Sequence, residues 1–508
     1  MGTSLARIHA AELVGIKARL VEVEVDLHVG LHAFNIVGLA DKSVSEAKER
    51  VNSALKNSGV KPPNRENRKI TVNLAPADIK KTGSHYDLAI AIGYLLATGQ
   101  IKNFNPHDKI FLGELALDGR LRPIAGALNI AELAAQKNFK TIFVPQENAN
   151  EAAAISNVHI VAVQNLGEVI EILEERRTEV RTAFRAVKAS RTNIPDFSDI
   201  KGQESAKRAL MIAAAGSHNM LMIGPPGVGK SLLAQALVGI LPDLSTDEAI
   251  EVTKIYSAAG LTPDGLVQVR PFRSPHQTAS LISIVGGGTQ PRPGEISLAH
   301  RGVLFLDELP EFPKNVLESL RQPIESGVVH VTRARGTLIF PAKFSLITAM
   351  NPCPCGFYGD PEKECRCGAF EVLRYQKKIS GPLLDRIDLQ LRVPRIGLHE
   401  LRTRSKSGES SDEIKERVEQ ARLIQAKRFQ SQGIRTNAEM SSKQVEELTL
   451  LEPQAEDFLK TFGSSQLSPR GYYRLLKTAR TIADLADHET VTQAHIAEAF
   501  SYRLREEV

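Results

Sequence analysis

Residues 224–231 read GPPGVGKS, and the segments on either side decide what that loop is. The run NMLMIGP before it is apolar and strand-like, and SLLAQALVGIL after it has helical spacing. The loop fits G-x-x-x-x-G-K-[ST] between a strand and a helix, the context a phosphate-binding loop requires. Glycines let the backbone bend until several N–H groups face one phosphate, and the helix N-terminus adds the positive end of its dipole. Gly224, Pro225, Pro226, Gly227, Val228 and Gly229 are therefore candidates to cradle a nucleotide such as ATP. Lys230 is placed to reach the β- and γ-phosphates, and Ser231 to ligate magnesium.

Such a loop calls for an acidic partner at the end of another strand, because open parallel sheets place ligands at the carboxyl ends of their strands. GVLFLDE supplies one: four apolar residues, then Asp307 and Glu308. Asp307 is the candidate second magnesium ligand, and Glu308 the candidate base that polarises an attacking water. FSLITAM is the next apolar run, and it ends at Asn351, whose amide can orient water beside a γ-phosphate. These sites lie in a region read as a doubly wound parallel α/β domain.

The rest of the 508-residue chain is ordinary in composition, with 42% hydrophobic and 24% charged residues. A formal net charge of +5 permits a polyanionic partner without arguing for one. No run of about 18 apolar residues occurs, which predicts no membrane span. The N-terminus lacks the apolar core of a signal peptide, and the cysteines are not spread as a disulfide framework, so a cytoplasmic location is expected. Five segments are expected: an α/β domain over 1–177, a basic linker over 178–196, the nucleotide-binding core over 197–396, a polar linker over 397–411 and a helical domain over 412–508.

The ordered set resembles the AAA+ ATPases, in particular their magnesium-chelatase-like branch. GPPGVGKS looks like Walker A, LFLDE like Walker B and Asn351 like sensor 1. The resemblance makes Arg386, in SGPLLDRIDLQL, the arginine finger that reaches a neighbouring subunit's γ-phosphate. It makes Arg470, in SPRGYYRLLKTARTIADL, the sensor-2 arginine. GGGTQPRPGE looks like the tip of that branch's helix-2 insert, and GVVHVTRARGTLIFPAKF like its pre-sensor-1 hairpin. In such motors both hairpins enter the pore of a hexamer, so Arg292, Arg333, Arg335 and Lys343 become candidate DNA contacts.

The first domain resembles the Lon-type serine–lysine protease fold through APADIKKTGSHYDLAIAIGYLLATGQ and LGELALDGRLRPIAGALNIAELAAQKNFKTIFVPQENANEA. That chemistry needs a serine and a lysine within hydrogen-bond reach. Here His85 stands at the serine position and Leu128 at the lysine position, with Ser84 one residue away. The resemblance therefore implies the fold without proteolysis. A Lon-like domain, a chelatase-like AAA+ module and a helical C-terminal domain together form the layout of the YifB/ComM family. What the family implies is a homohexameric, ATP-driven DNA motor acting on single-stranded, double-stranded or branched DNA. Its role there is branch migration as imported strands recombine in natural transformation. The alternative is a motor subunit that drives magnesium insertion into a porphyrin.

All four cysteines, Cys353, Cys355, Cys365 and Cys367, lie in NPCPCGFYGDPEKECRCG directly after Asn351. The spacing C-x-C-x9-C-x-C suits a closed tetrahedral zinc site with no open position for catalysis. Two disulfides and free buried thiols are the competing readings.

Overall fold

The computed structural model describes residues 5–65, 67–186, 194–261, 264–333, 336–397, 408–430, 432–462 and 467–503. The chain divides into two compact units: residues 1–189 with 246–268, and residues 190–245 with 269–508. No helix among the described residues is long and apolar enough to cross a membrane.

The first unit is built on a seven-stranded mixed sheet. Its strand order is Ala33–Val37, Arg68–Ala75, Lys17–Val29, Leu5–Val14, Lys109–Phe111, Thr141–Pro145 and His159–Val163. Leu5–Val14 pairs antiparallel with Lys17–Val29 and parallel with Lys109–Phe111, so it sits at the centre. Strand Lys17–Val29 alternates over residues 21–27, with Val21, Val23, Val25 and Leu27 buried, as a one-sided sheet face requires. Helix Asp87–Ala97 is apolar nearly all round and buried along its length, matching its sequence.

One helix departs from the expected partition. Thr246–Ala258 falls inside the interval read as nucleotide-binding core, yet it belongs to the first unit. Its Ala249, Val252 and Ile255 are buried. Asn129 Nδ2 donates to the Lys254 carbonyl at 3.2 Å, Lys254 Nζ pairs with Glu132 at 2.6 Å, and the Gly126 amide donates to the Ser257 carbonyl at 3.0 Å.

The second unit carries a five-stranded sheet in the order Phe272–Arg273, Val303–Leu306, Ser345–Met350, Met220–Ile223, Leu389–Arg392. Every neighbouring pair is parallel. The three central strands are short apolar runs with almost every residue buried, as in parallel sheets covered on both faces. Helices Ser411–Arg428, Ser442–Leu448, Pro453–Phe462, Pro469–Leu485 and Gln493–Ser501 form the C-terminal part, and their apolar faces join the core of this unit. The expected α/β class with a helical C-terminal region is what the structure has.

Candidate nucleotide and metal-binding site

Strand Met220–Ile223 delivers the loop, and helix Lys230–Ile240 leaves it with Gly229 as N-cap. Gly227 and Gly229 have φ of +82° and +87°, and a Cβ added at either meets nothing within 4 Å. Their backbone therefore lines open space, and only glycine adopts those dihedrals without strain. Gly224 is required for a different reason: a Cβ there would collide with the Val393 carbonyl. An open left-handed loop capping an eleven-residue helix fits a phosphate group.

Sheet order explains how the remaining groups meet. The strand ending at Asn351 lies between the loop strand and the strand ending at Asp307. Lys230 Nζ donates to Asn351 Oδ1 at 3.1 Å, and also to the carbonyls of Gly224 at 2.6 Å and Pro225 at 2.9 Å. Ser231 Oγ donates to Asp307 Oδ2 at 2.6 Å. The two oxygen groups expected at magnesium are thus adjacent, and both suit a hard cation. Burial pushes the Lys230 ammonium below its ordinary value, an effect the Asp307 and Glu308 charges oppose. Glu308 is exposed and adopts φ +51°, a conformation uncommon for a residue with a side chain and typical of functional sites.

Among the described residues, no hydrogen bond or ion pair joins Arg386 or Arg470 to Lys230, Asp307, Glu308 or Asn351. Arg386 is buried, with Nη2 on Glu325 Oε1 at 2.6 Å and Nη1 on the Pro382 carbonyl at 2.5 Å. Arg470, in the first turn of helix Pro469–Leu485, is exposed and approaches the same Glu325 oxygen at 3.9 Å. Nothing in the sequence marked Glu325.

Of the hairpin residues, Arg292 is exposed on the two-residue strand Arg292–Pro293, which pairs with Gly286–Gly287. Arg333 ends strand Val328–Arg333, which pairs antiparallel with Gly336–Pro341. Arg335 lies outside the described residues. Lys343 is not at a tip: it follows the second strand of the hairpin, and its Nζ pairs with Glu439 at 2.8 Å.

The four cysteine sulfurs lie within 4.8 Å of one another. Cys353 is 3.4 Å from Cys355 and 3.7 Å from Cys365, and Cys355 is 3.6 Å from Cys365. Zinc–sulfur bonds of about 2.3 Å set tetrahedral edges near 3.8 Å, so the donor set fits zinc. A disulfide needs about 2.05 Å, and all four cysteines are free. The Phe357 and Arg366 amides pull the Cys355 thiol down to about 6. The loop also touches the nucleotide site. A Cβ on Gly356, which has φ +86°, would lie 2.6 Å from Pro226 Cδ and 3.9 Å from Asn351 Cγ.

In the first unit, burial pushes the His85 imidazole below its ordinary value, an effect opposed by the Glu12 carboxylate 3.9 Å away. Ser84 donates to Glu114, the buried Lys81 donates to the Pro76 carbonyl, and Leu128 is buried in helix Ala127–Gln136.

Family profiles match this architecture in three blocks. Residues 196–401 match magnesium chelatase, subunit ChlI; residues 23–148 match subunit ChlI of Mg-chelatase; residues 408–503 match the ChlI C-terminal region. Competence protein ComM of Haemophilus influenzae is 43% identical over 509 residues, covering 98% of this chain and 97% of that protein. The chain belongs to the YifB/ComM family of magnesium-chelatase-like AAA+ proteins. Protein YifB of Escherichia coli K12 is likewise 43% identical, over 98% of this chain and 97% of its own. The magnesium-chelatase 38 kDa subunit of Rhodobacter capsulatus is 30% identical over only 31% of this chain and 50% of that protein. The family is thus matched over nearly the full length, and the chelatase-subunit alternative is not favoured.

Proposed function

We propose that this chain is an ATPase motor subunit that works as a homohexameric ring on DNA, driving branch migration during recombination of imported strands. The observation that carries the ATPase reading is the pair of hydrogen bonds joining three strand ends, Lys230 to Asn351 and Ser231 to Asp307. Loop amides and Lys230 bind the phosphates, while Asn351 orients Lys230 and a water. Glu308 accepts a proton from that water as it attacks. Ser231 and Asp307 would hold magnesium, which supplies charge neutralisation on the β- and γ-phosphates. Arg386, supplied by a neighbouring copy, would stabilise charge developing on the transferred phosphoryl group.

DNA as the track is supported by the two antiparallel hairpins with Arg292 and Arg333, and by membership of a family whose Haemophilus influenzae member is a competence protein. Cys353, Cys355, Cys365 and Cys367 would hold structural zinc, pinning the loop between Asn351 and Arg386. The deciding experiment measures ATP turnover without DNA and with single-stranded, double-stranded and branched DNA, with oligomeric state alongside. Turnover stimulated by DNA, together with strand exchange on a branched substrate, is expected. ATP turnover indifferent to every DNA would overturn the DNA-motor reading and leave the ATPase.

A further inference from the structure

Two of the arginines expected to meet ATP converge on one carboxylate oxygen. Glu325 Oε1 lies 2.6 Å from Arg386 Nη2 and 3.9 Å from Arg470 Nη2. The three residues come from separate elements: Glu325 from helix Arg321–Ser326, Arg386 from just after helix Gly381–Leu384, and Arg470 from helix Pro469–Leu485. Among the described residues, neither arginine pairs with Asp307, Glu308 or Asn351 of its own chain. The Arg386 backbone is fixed, because its carbonyl accepts from Asn219 Nδ2 at 3.0 Å and from Arg474 Nη1 at 2.9 Å. Its guanidinium is pinned further by the Pro382 carbonyl. Glu325, by contrast, is 45% exposed at its side chain, so it is the partner free to swing away.

The pairing is also chemically incomplete. Two guanidinium charges share one carboxylate, and Arg386 Nε is buried without a hydrogen-bond partner. A terminal phosphate offers three acceptor oxygens and up to two negative charges, and satisfies both deficits better than a carboxylate does. We propose that Glu325 masks an anion site: its carboxylate occupies Arg386 and Arg470, and the terminal phosphate of a nucleotide bound by a second copy of this chain displaces it. The proposal rests on the ATPase reading above. Only Ser326 and Gly327, the latter at φ +66°, separate Glu325 from hairpin strand Val328–Arg333. A shift of that hairpin therefore moves the carboxylate relative to the arginines.

The test is the full-length chain, followed by sedimentation velocity as a non-hydrolysable ATP analogue with an intact γ-phosphate is added. Glu325→Gln should lower the analogue concentration for half-maximal association about five- to tenfold, the worth of one charge-assisted pair partly open to water. Glu325→Asp should stay near wild type. In Glu325→Gln with Arg386→Ala the shift should vanish, because the carboxylate acts through that guanidinium. A merely structural glutamate would move the melting temperature and leave the midpoint alone. An unshifted or raised midpoint in Glu325→Gln, a shift that survives Arg386→Ala, or no analogue-driven association of wild type each overturns the proposal. ATP turnover is measured in parallel, and its absence in wild type would sink the ATPase reading separately.

Discussion

Gly356→Ala tests whether the cysteine loop and the nucleotide loop are mechanically one object. Gly356 is buried at φ +86°, and an added Cβ would sit 2.6 Å from Pro226 Cδ and 3.2 Å from Pro226 Cγ. Both atoms belong to a rigid ring in the phosphate loop, so the loop itself must give. The left-handed conformation costs a side-chain-bearing residue about 1–2 kcal/mol. Overpacking a tight contact adds about 1–3 kcal/mol. Gly359 provides an internal control: it lies in the same loop at φ +74°, with nothing within 4 Å of its Cβ position. Gly359→Ala should therefore carry the backbone term alone. We expect Gly359→Ala to lower stability by about 1–2 kcal/mol with ATP affinity unchanged. Gly356→Ala should lower stability by about 2–5 kcal/mol and weaken ATP binding about 10- to 100-fold as Pro226 is pushed out of place. Fluorescent-nucleotide titration and urea melts read the two effects. Equal nucleotide affinity in the two variants would refute the coupling.

Glu308→Gln should retain ATP binding while losing about 10²- to 10⁴-fold in turnover, and unimpaired hydrolysis would remove Glu308 as base. Glu151 is raised from 4.5 to about 7, chiefly by burial, so the folded state holds its proton more tightly than the unfolded state. Its contribution then falls as pH rises from about 4.5 to about 7 and is flat above that. Glu151→Gln should be more stable than wild type by up to about 3 kcal/mol at pH 8 and close to it at pH 5; a constant difference in melts across that range would discard this assignment. Protein purified without chelator should carry about one zinc per chain, and replacing all four cysteines by serine should destabilise the loop and weaken ATP binding. Metal analysis finding no zinc would end that reading.

The phosphate loop was legible because its chemistry is local: glycines, lysine and serine must lie in one short run. The acidic pair and Asn351 were legible because each closes an apolar run that only a buried parallel strand explains. Glu325 was not, since a glutamate at a helix end looks like any solvated residue until distant arginines are folded onto it. The central strand Leu5–Val14, LARIHAAELV, is not legible in the sequence either. Its alanines, histidine and glutamate have poor strand propensity, and burial between two neighbouring strands overrides that. Lys343 pairs with Glu439, which lies far off in sequence, so the sequence carries no sign of that contact.

Helix Thr246–Ala258 has a consequence for dissecting this protein. Since residues 246–268 belong with residues 1–189, no single cut releases either unit whole. A fragment starting at residue 190 would turn Val252 and Ile255 out into water, forfeiting about 1.5–3 kcal/mol for each, and would present an adhesive stripe. A fragment ending at residue 189 would have a vacant seat beside helix Ala127–Gln136, shaped for a peptide it no longer owns. Truncations here should precipitate unless that 23-residue loan is returned, either by replacing the stripe with polar residues or by supplying the segment in trans.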